Sequence, residues 1–251
     1  MVKIFSNREF YNQLAFDYDR MISFGKLVES RKKSLKNFVR PKMKSAIDLG
    51  CGSGVDSIAL TSLGLKVTAF DPSRNMIKAA KENARKYGLK INFYNKSVDL
   101  IPVSFNQQHD LVISLGNTFA NIEKKNFLFS LKKCFDLLKP EGVVLIQVLN
   151  YRKVLREKQR VVNINSSENN YFIRFYDFIR YGLIFNILFF NKENPSDFKF
   201  ISTKLFPYTE DDFISGLKKA GFRKIVFFSD FNLSDYDKFN SKDLIIRAIK
   251  S

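Results

Sequence analysis

Apolar and polar positions along this chain recur with two different periods, and the changes of period mark its elements. Short apolar runs at Ser45–Leu49, Lys66–Phe70, Ile91–Tyr94, Asp110–Leu115 and Gly142–Leu149 read as strands. Between them lie helical patterns over Val55–Leu63, Ser73–Tyr87 and Phe127–Leu138; Pro72 opens the second, Gly88 closes it and Pro140 stops the third. This alternation predicts successive βα units and a parallel sheet, so the expected class is α/β. Asp110–Leu115 is nearly all apolar, as a strand buried on both faces should be. Two amphipathic helices, about Ser6–Met21 and Lys26–Phe38, precede this core. After the fifth strand the pattern changes. Tyr171–Phe206 is rich in Phe, Ile and Tyr, with turn signals at Tyr181-Gly182 and around Asn194-Pro195, and predicts two or three antiparallel strands. A helix over Thr209–Ala220, capped by Thr209 with Asp212 three residues on, leads to strands at Arg223–Ser229 and Leu244–Ile249.

Composition narrows the function classes. The 251 residues are 45% hydrophobic and 27% charged, enough to bury a core without staples. Cys51 and Cys134 are too few for a disulfide scaffold or a cysteine zinc site, and His109 alone makes no histidine metal centre, so no metal is expected. His109 itself is expected at the surface, without chemistry. The first ten residues lack an apolar signal core, and the greasiest stretch, Leu183–Phe190, is too short to span a bilayer. The expectation is a soluble cytoplasmic protein with no membrane association. A net charge of +17 would attract phosphates and keeps nucleic acid open as a partner. Lys outnumbers Arg more than twofold, however, and abundant Asn, Ile and Phe match an AT-rich coding bias. In the densest basic run, Lys26–Lys44, Lys32, Lys36 and Arg40 share one helical face, as solvated faces do. Nucleic acid is therefore possible but not favoured.

The sharpest local feature is the apolar strand ending Asp48-Leu49 that runs into Gly50-Cys51-Gly52-Ser53-Gly54 and a helix. Glycines there let backbone approach a ligand and take positive φ. A dinucleotide fingerprint needs its third glycine one position later, where this chain has Val55. Asp48, just before the turn, suits a ligand with a positive charge. The next strand ends at Phe70-Asp71, which places a carboxylate where it can accept ribose hydroxyls. Asp71 also reads as a turn former before Pro72. A cationic ligand with a ribose and no pyrophosphate is S-adenosyl-L-methionine.

These strings resemble the class I S-adenosylmethionine-dependent methyltransferases over nearly the whole chain. Gly54-Val55-Asp56-Ser57-Ile58, Leu115-Gly116-Asn117-Thr118-Phe119-Ala120-Asn121 and Asn150-Tyr151 with Val154-Leu155 resemble the glycine/sarcosine N-methyltransferase branch, as do Tyr208, Gly221-Phe222 and Asp230-Phe231. The resemblance implies one Rossmann-like, doubly wound domain over 1–251. It would have a seven-stranded sheet, mostly parallel with the last strand antiparallel, a helical cap over 1–40 and an antiparallel β lid over 151–207. It implies that Asp48, Gly50, Cys51, Gly52 and Gly54 shape the loop around the amino-acid part of the cofactor. Asp71 would hold the ribose, Pro72 and Met76 border the adenine, and Ser97 stand at its amino edge where relatives carry Asp or Asn. Leu115 and Gly116 would lie along the methionine moiety. Tyr18 and either Arg31 or Lys26 would close over it. Asn117 and Tyr151 are the candidate catalytic residues, although Asn117 reads equally as a positive-φ turn residue and Tyr151, like Tyr208, as a packing aromatic.

The glycine-methylating enzymes place an Arg before the Asn-Tyr pair to clamp the substrate carboxylate; this chain has Leu149 there, which argues against glycine. The Asn/Asp-Pro-Pro-Tyr/Phe string of base-amine enzymes, the catalytic Cys of cytosine-C5 enzymes and the paired-glutamate loop of arginine methyltransferases are also missing. The implied reaction is direct SN2 transfer of methyl to a small-molecule acceptor, an amine by expectation, releasing S-adenosyl-L-homocysteine. An RNA methyltransferase using the basic Lys26–Lys44 and Arg152–Arg160 segments, or a non-catalytic S-adenosylmethionine-binding protein, are the alternatives. The sequence leaves the oligomeric state open.

Overall fold

A computed structural model describes residues 3–166 and 169–250. The elements are β1 (Ile4–Phe5), α1 (Asn7–Met21), α2 (Phe24–Leu35), β2 (Ser45–Leu49), α3 (Val55–Ser62), β3 (Lys66–Phe70), α4 (Arg74–Lys86), β4 (Asn92–Tyr94) and β5 (His109–Ser114). They continue as α5 (Lys124–Leu137), β6 (Leu138–Leu149), α6 (Tyr151–Glu157), β7 (Val161–Ser166), β8 (Asn170–Ile179), β9 (Gly182–Asn191), β10 (Phe198–Leu205), α7 (Glu210–Ala220), β11 (Phe222–Phe228) and β12 (Asp243–Lys250). None of the helices is long and apolar enough to cross a membrane, among the described residues.

The central sheet has seven strands in the order β11-β12-β6-β5-β2-β3-β4. Of these only β12 runs against its neighbours, as the sequence led us to expect. Side chains alternate between its faces. Ile47, Val112 and Ile146 pack with Leu131 of α5 and Phe213 of α7, whereas Ala46, Leu111 and Leu145 pack with Leu35 of α2 and Leu60 of α3. Strand order reverses between β2 and β5, so the carboxyl ends of these two strands open the crevice where such sheets bind ligands.

Pro140 does not stop the chain short of β6, which begins at Leu138. A proline is tolerated because that end lies outside the regular ladder: pairing with β5 jumps from His109↔Leu138 to Leu111↔Val143, and Glu141 takes φ +61°. His109 is not at the surface as expected but buried, because the segment before it folds back and stacks Phe105 on the imidazole. Burial lowers its pKa to about 4.

A second sheet, β1-β10-β9-β8-β7, is built from the segment after β6 together with the start of the chain. Its four long strands are antiparallel, and β1 adds in parallel through Ile4↔Ser202 and Phe5↔Thr203. The sequence reading missed β1, β7 and α6. α6 is started by the Asn150 side chain, which accepts from the Lys153 amide. Helix α1 is held between the sheets: Phe10 and Leu14 are buried against Phe172, Ile187 and Ile201. Burying a phenylalanine of this kind contributes roughly 1.5–3 kcal/mol. On its other side the Asn12 Oδ1 accepts from the Ser73 hydroxyl at 2.7 Å, tying α1 to the start of α4.

Candidate active site

The glycine turn is fixed from below. The Gly50 and Cys51 amides both donate to the Phe70 carbonyl, at 2.8 and 3.1 Å, so the ends of β2 and β3 are clasped together. Gly50 has φ +78°, and a Cβ there would lie 2.3 Å from Thr118 Cγ2, so only glycine fits between this turn and the segment after β5. Gly52, at φ +53°, meets nothing nearer than Tyr18 Cε1 at 3.9 Å and borders open space. Gly54 caps α3 and packs on Ala80.

That space is a cavity of about 130 Å³. Of the residues singled out in the sequence, Tyr18, Arg31, Gly50, Cys51, Gly52, Asp71, Pro72, Met76, Leu115 and Gly116 line it. Lys26 is exposed, so Arg31 is the cation that the structure brings to the wall. Ser97 lies in an adjoining cavity of about 300 Å³, shared with Gly50, Phe70 and Pro72. On the other side a larger cavity of about 460 Å³ opens between α1, α2, β6, β8 and β9, and Gly116 borders both it and the first. Asn117 lines this larger cavity, whereas Tyr151 is fully buried.

Three carboxylates crowd the turn. Asp71 accepts from the Gly52 amide at 2.9 Å and the Ser73 amide at 2.8 Å, yet burial still raises its pKa to about 6. Asp48 sits beneath the turn, accepting from the Ser57 hydroxyl at 2.6 Å; burial, then the charge of Asp56, pushes it up to about 8. Asp56 is raised by burial and partly relieved by Arg31, whose Nε lies 3.0 Å from Oδ1. The Arg31 guanidinium also rests over the Phe231 ring at 4.3 Å, which fixes its position.

Behind Gly116 runs a chain of hydrogen bonds that the sequence only hinted at. Gln147 Oε1 accepts from the Gly116 amide at 2.8 Å, and its Nε2 donates to Asp243 Oδ1 at 2.7 Å. A glutamine inside the apolar run Val143–Leu149 was the visible signal. Asn117, at φ +68°, accepts from the Leu149 amide at 3.2 Å and donates to the Tyr151 hydroxyl at 2.8 Å. Its side chain thus staples the segment after β5 to the end of β6. Arg174 and Asp243, both facing the large cavity, were not anticipated.

Comparison with known proteins agrees with this geometry. The family described as a methyltransferase domain matches residues 46–142, the span from β2 into β6. Over that span the chain is similar to a methyltransferase domain. It is 29% identical over 133 residues, 51% of this chain and 50% of the relative, to a glycine/sarcosine N-methyltransferase of Halorhodospira halochloris. It is 28% identical over 193 residues, 76% of this chain and 74% of the relative, to a carboxy-S-adenosyl-L-methionine synthase of Nautilia profundicola. In fold it is similar to an S-adenosylmethionine-dependent methyltransferase from Clostridium acetobutylicum, at TM-score 0.75 and 19% identity, covering 96% of this chain and 99% of that one. An amino pentose methyltransferase from Micromonospora echinaspora with S-adenosylmethionine bound gives TM-score 0.65 at 10% identity, covering 93% and 96%.

The residues around the glycine turn fit that cofactor. Their cavity is walled by acidic groups suited to a sulfonium. The buried Ser53 hydroxyl and Asn121 Oδ1 have no partner among the described residues, and both border the cavity. A Cβ at Gly116 would meet nothing within 4 Å, leaving room beside the backbone.

Proposed function

We propose that this chain transfers the methyl group of S-adenosylmethionine to a small-molecule acceptor, an amine. The observation that carries the reading is the acidity of a buried site in a basic protein. Asp48, Asp56 and Asp71 surround one glycine turn, with Arg31 the single cation in the cavity wall among the described residues. Burying carboxylates this way is costly unless a cation joins them. In this reading Asp71 receives the ribose hydroxyls, Pro72 and Met76 border the adenine, and Ser97 stands at its edge. Gly52, Leu115 and Gly116 offer backbone to the amino-acid part, and Tyr18 and Arg31 cover it.

When bound, the cofactor supplies a methyl group already activated by its sulfonium, so the chain's task is alignment. Holding reactants in line is worth roughly 7–11 kcal/mol of the barrier. Gln147, Asn117 and Tyr151 do this indirectly, by fixing the Gly116 backbone between the two cavities. The lid over 151–207 and the cap over 1–40 enclose the acceptor and exclude water. Asp243 is the proton acceptor for the methylated ammonium: Gln147 holds one oxygen, and burial raises its pKa. An acidic partner of this kind favours an amine.

Calorimetric titration with S-adenosylmethionine and S-adenosylhomocysteine, followed by transfer assays on a panel of small amines, tests the reading. Micromolar binding and labelled methyl on an amine are expected, with Asp243→Asn slowing turnover while leaving cofactor affinity intact. Failure to bind either compound overturns it, and methylation of RNA in place of amines would move the activity to the basic surface.

A further inference from the structure

We propose that the acceptor carries a carboxylate on an apolar body, and that Arg174 of the lid receives it. The proposal rests on the methyl-transfer reading of the same site. Arg174 lies mid-strand in β8, opposite Asn163 of β7 and Ile187 of β9, and lines the 460 Å³ cavity. Its Nε donates to the Asn163 Oδ1 at 2.5 Å, and among the described residues no carboxylate pairs with it. The other charged groups of this cavity are already engaged or exposed. Arg31 is paired with Asp56, Asp243 is held by Gln147, and Lys242 is exposed.

An arginine kept half-buried with only a neutral amide for company is costly, and burial does lower its pKa. Its two terminal nitrogens remain in a planar fork that matches a carboxylate in bidentate fashion. A phosphate would call for more than one cation. The hydroxyl-bearing rings of Tyr18 and Tyr176 lie close enough to feel the guanidinium charge, and each offers a further neutral donor.

Position explains why the sequence did not reveal this. The clamp expected before Asn150 is absent because Leu149 stands there, but Leu149 and Arg174 line the same cavity. The lid thus returns, from a different strand, a charge that β6 lacks. Arg174 borders only the larger cavity, whereas Arg31 borders both, so Arg31 is left to the cofactor's own carboxylate. The remaining walls, including Leu14, Met21, Phe185 and Ile187, are apolar, and 460 Å³ is far more than glycine fills.

The test is calorimetry on protein saturated with S-adenosylhomocysteine, using matched acids and amines: phenylalanine and phenethylamine, histidine and histamine, leucine and isoamylamine. At least one acid should bind roughly 10- to 100-fold tighter than its decarboxylated partner, the range for a hydrogen bond to a charged group. Arg174→Met should abolish that preference, and Arg174→Lys restore part of it, with the S-adenosylhomocysteine affinity of both variants unchanged. Acids and amines binding alike, none of the acids binding at millimolar concentration, or a loss of S-adenosylhomocysteine affinity in Arg174→Met overturns the proposal. Arg174-dependent binding of acids without any methyl transfer supports the anion site and overturns the transferase reading instead.

Discussion

Replacing Asp48 by Asn should stabilise the unliganded protein, and more so the higher the pH. Asp48 ordinarily titrates near 3.8, and in this fold burial and Asp56 push it up to about 8. Between those values the unfolded chain releases the proton while the folded chain keeps it. Stability therefore falls as pH rises through that window, by about 1.4 kcal/mol per pH unit. From pH 5 to pH 8 the ceiling on this loss is about 4 kcal/mol. Asparagine cannot ionise, yet its amide oxygen still accepts from the Ser57 hydroxyl that now bonds Asp48. Relative to wild type, Asp48→Asn should gain little at pH 5 and several kcal/mol at pH 8. For a chain of this size each kcal/mol moves the melting midpoint by about 2–4 °C. Calorimetric melts of both proteins from pH 5 to pH 8 measure the gain directly. The same substitution removes a carboxyl that can ionise when a cation arrives beside the glycine turn, so S-adenosylmethionine should bind more weakly. A gain that stays flat with pH, or a loss at pH 8, would refute the placement of Asp48 as a buried, proton-holding carboxylate.

Gly50→Ala should destabilise strongly, since its Cβ would meet Thr118 Cγ2 at 2.3 Å. Adding Thr118→Ala should recover part of the loss, leaving the left-handed strain of about 1–2 kcal/mol; urea melts of the four proteins give the coupling energy. Tyr151→Phe leaves the Asn117 amide without its acceptor and should cost about 1–3 kcal/mol in denaturant melts. Turnover of that variant should fall modestly, as befits a positioning residue, and a thousandfold collapse with unchanged stability would make Tyr151 catalytic. His109 stays neutral in the fold down to about pH 4 while the unfolded chain charges near 6.5, so it erodes stability as pH falls through that window. His109→Phe, which keeps an aromatic ring against Phe105, should therefore melt increasingly above wild type as melts are taken from pH 7 to pH 5.

The overall charge of +17 and the acidic central cavity pull in opposite directions. Most of the lysines are exposed, where water solvates them. The carboxylates that matter are few, and they converge on one turn. Net charge is therefore a poor guide to the ligand here, while the buried Asp48 and Asp71 with the partly buried Asp56 are a good one.

The sequence by itself determined what depends on near neighbours in the chain. The strands β2, β3 and β5, the glycine turn, Asp71 at the end of β3 and the Thr209 cap all follow from residue spacing and backbone freedom. These are local properties: a run of apolar residues at period two, or glycines at positive φ, means the same in any fold. Tertiary structure decided the rest. Pro140 enters β6 because it falls in the irregular stretch between the Leu138 and Val143 pairings with β5, and β12 pairs with β6 only from Val143. His109 is buried because a separate segment brings Phe105 over it. The large cavity draws Tyr18, Gln147, Arg174 and Asp243 from four elements. No spacing rule connects those four positions. They meet because α1, packed between the two sheets, and the register of β8 against β7 turn their side chains towards the same space.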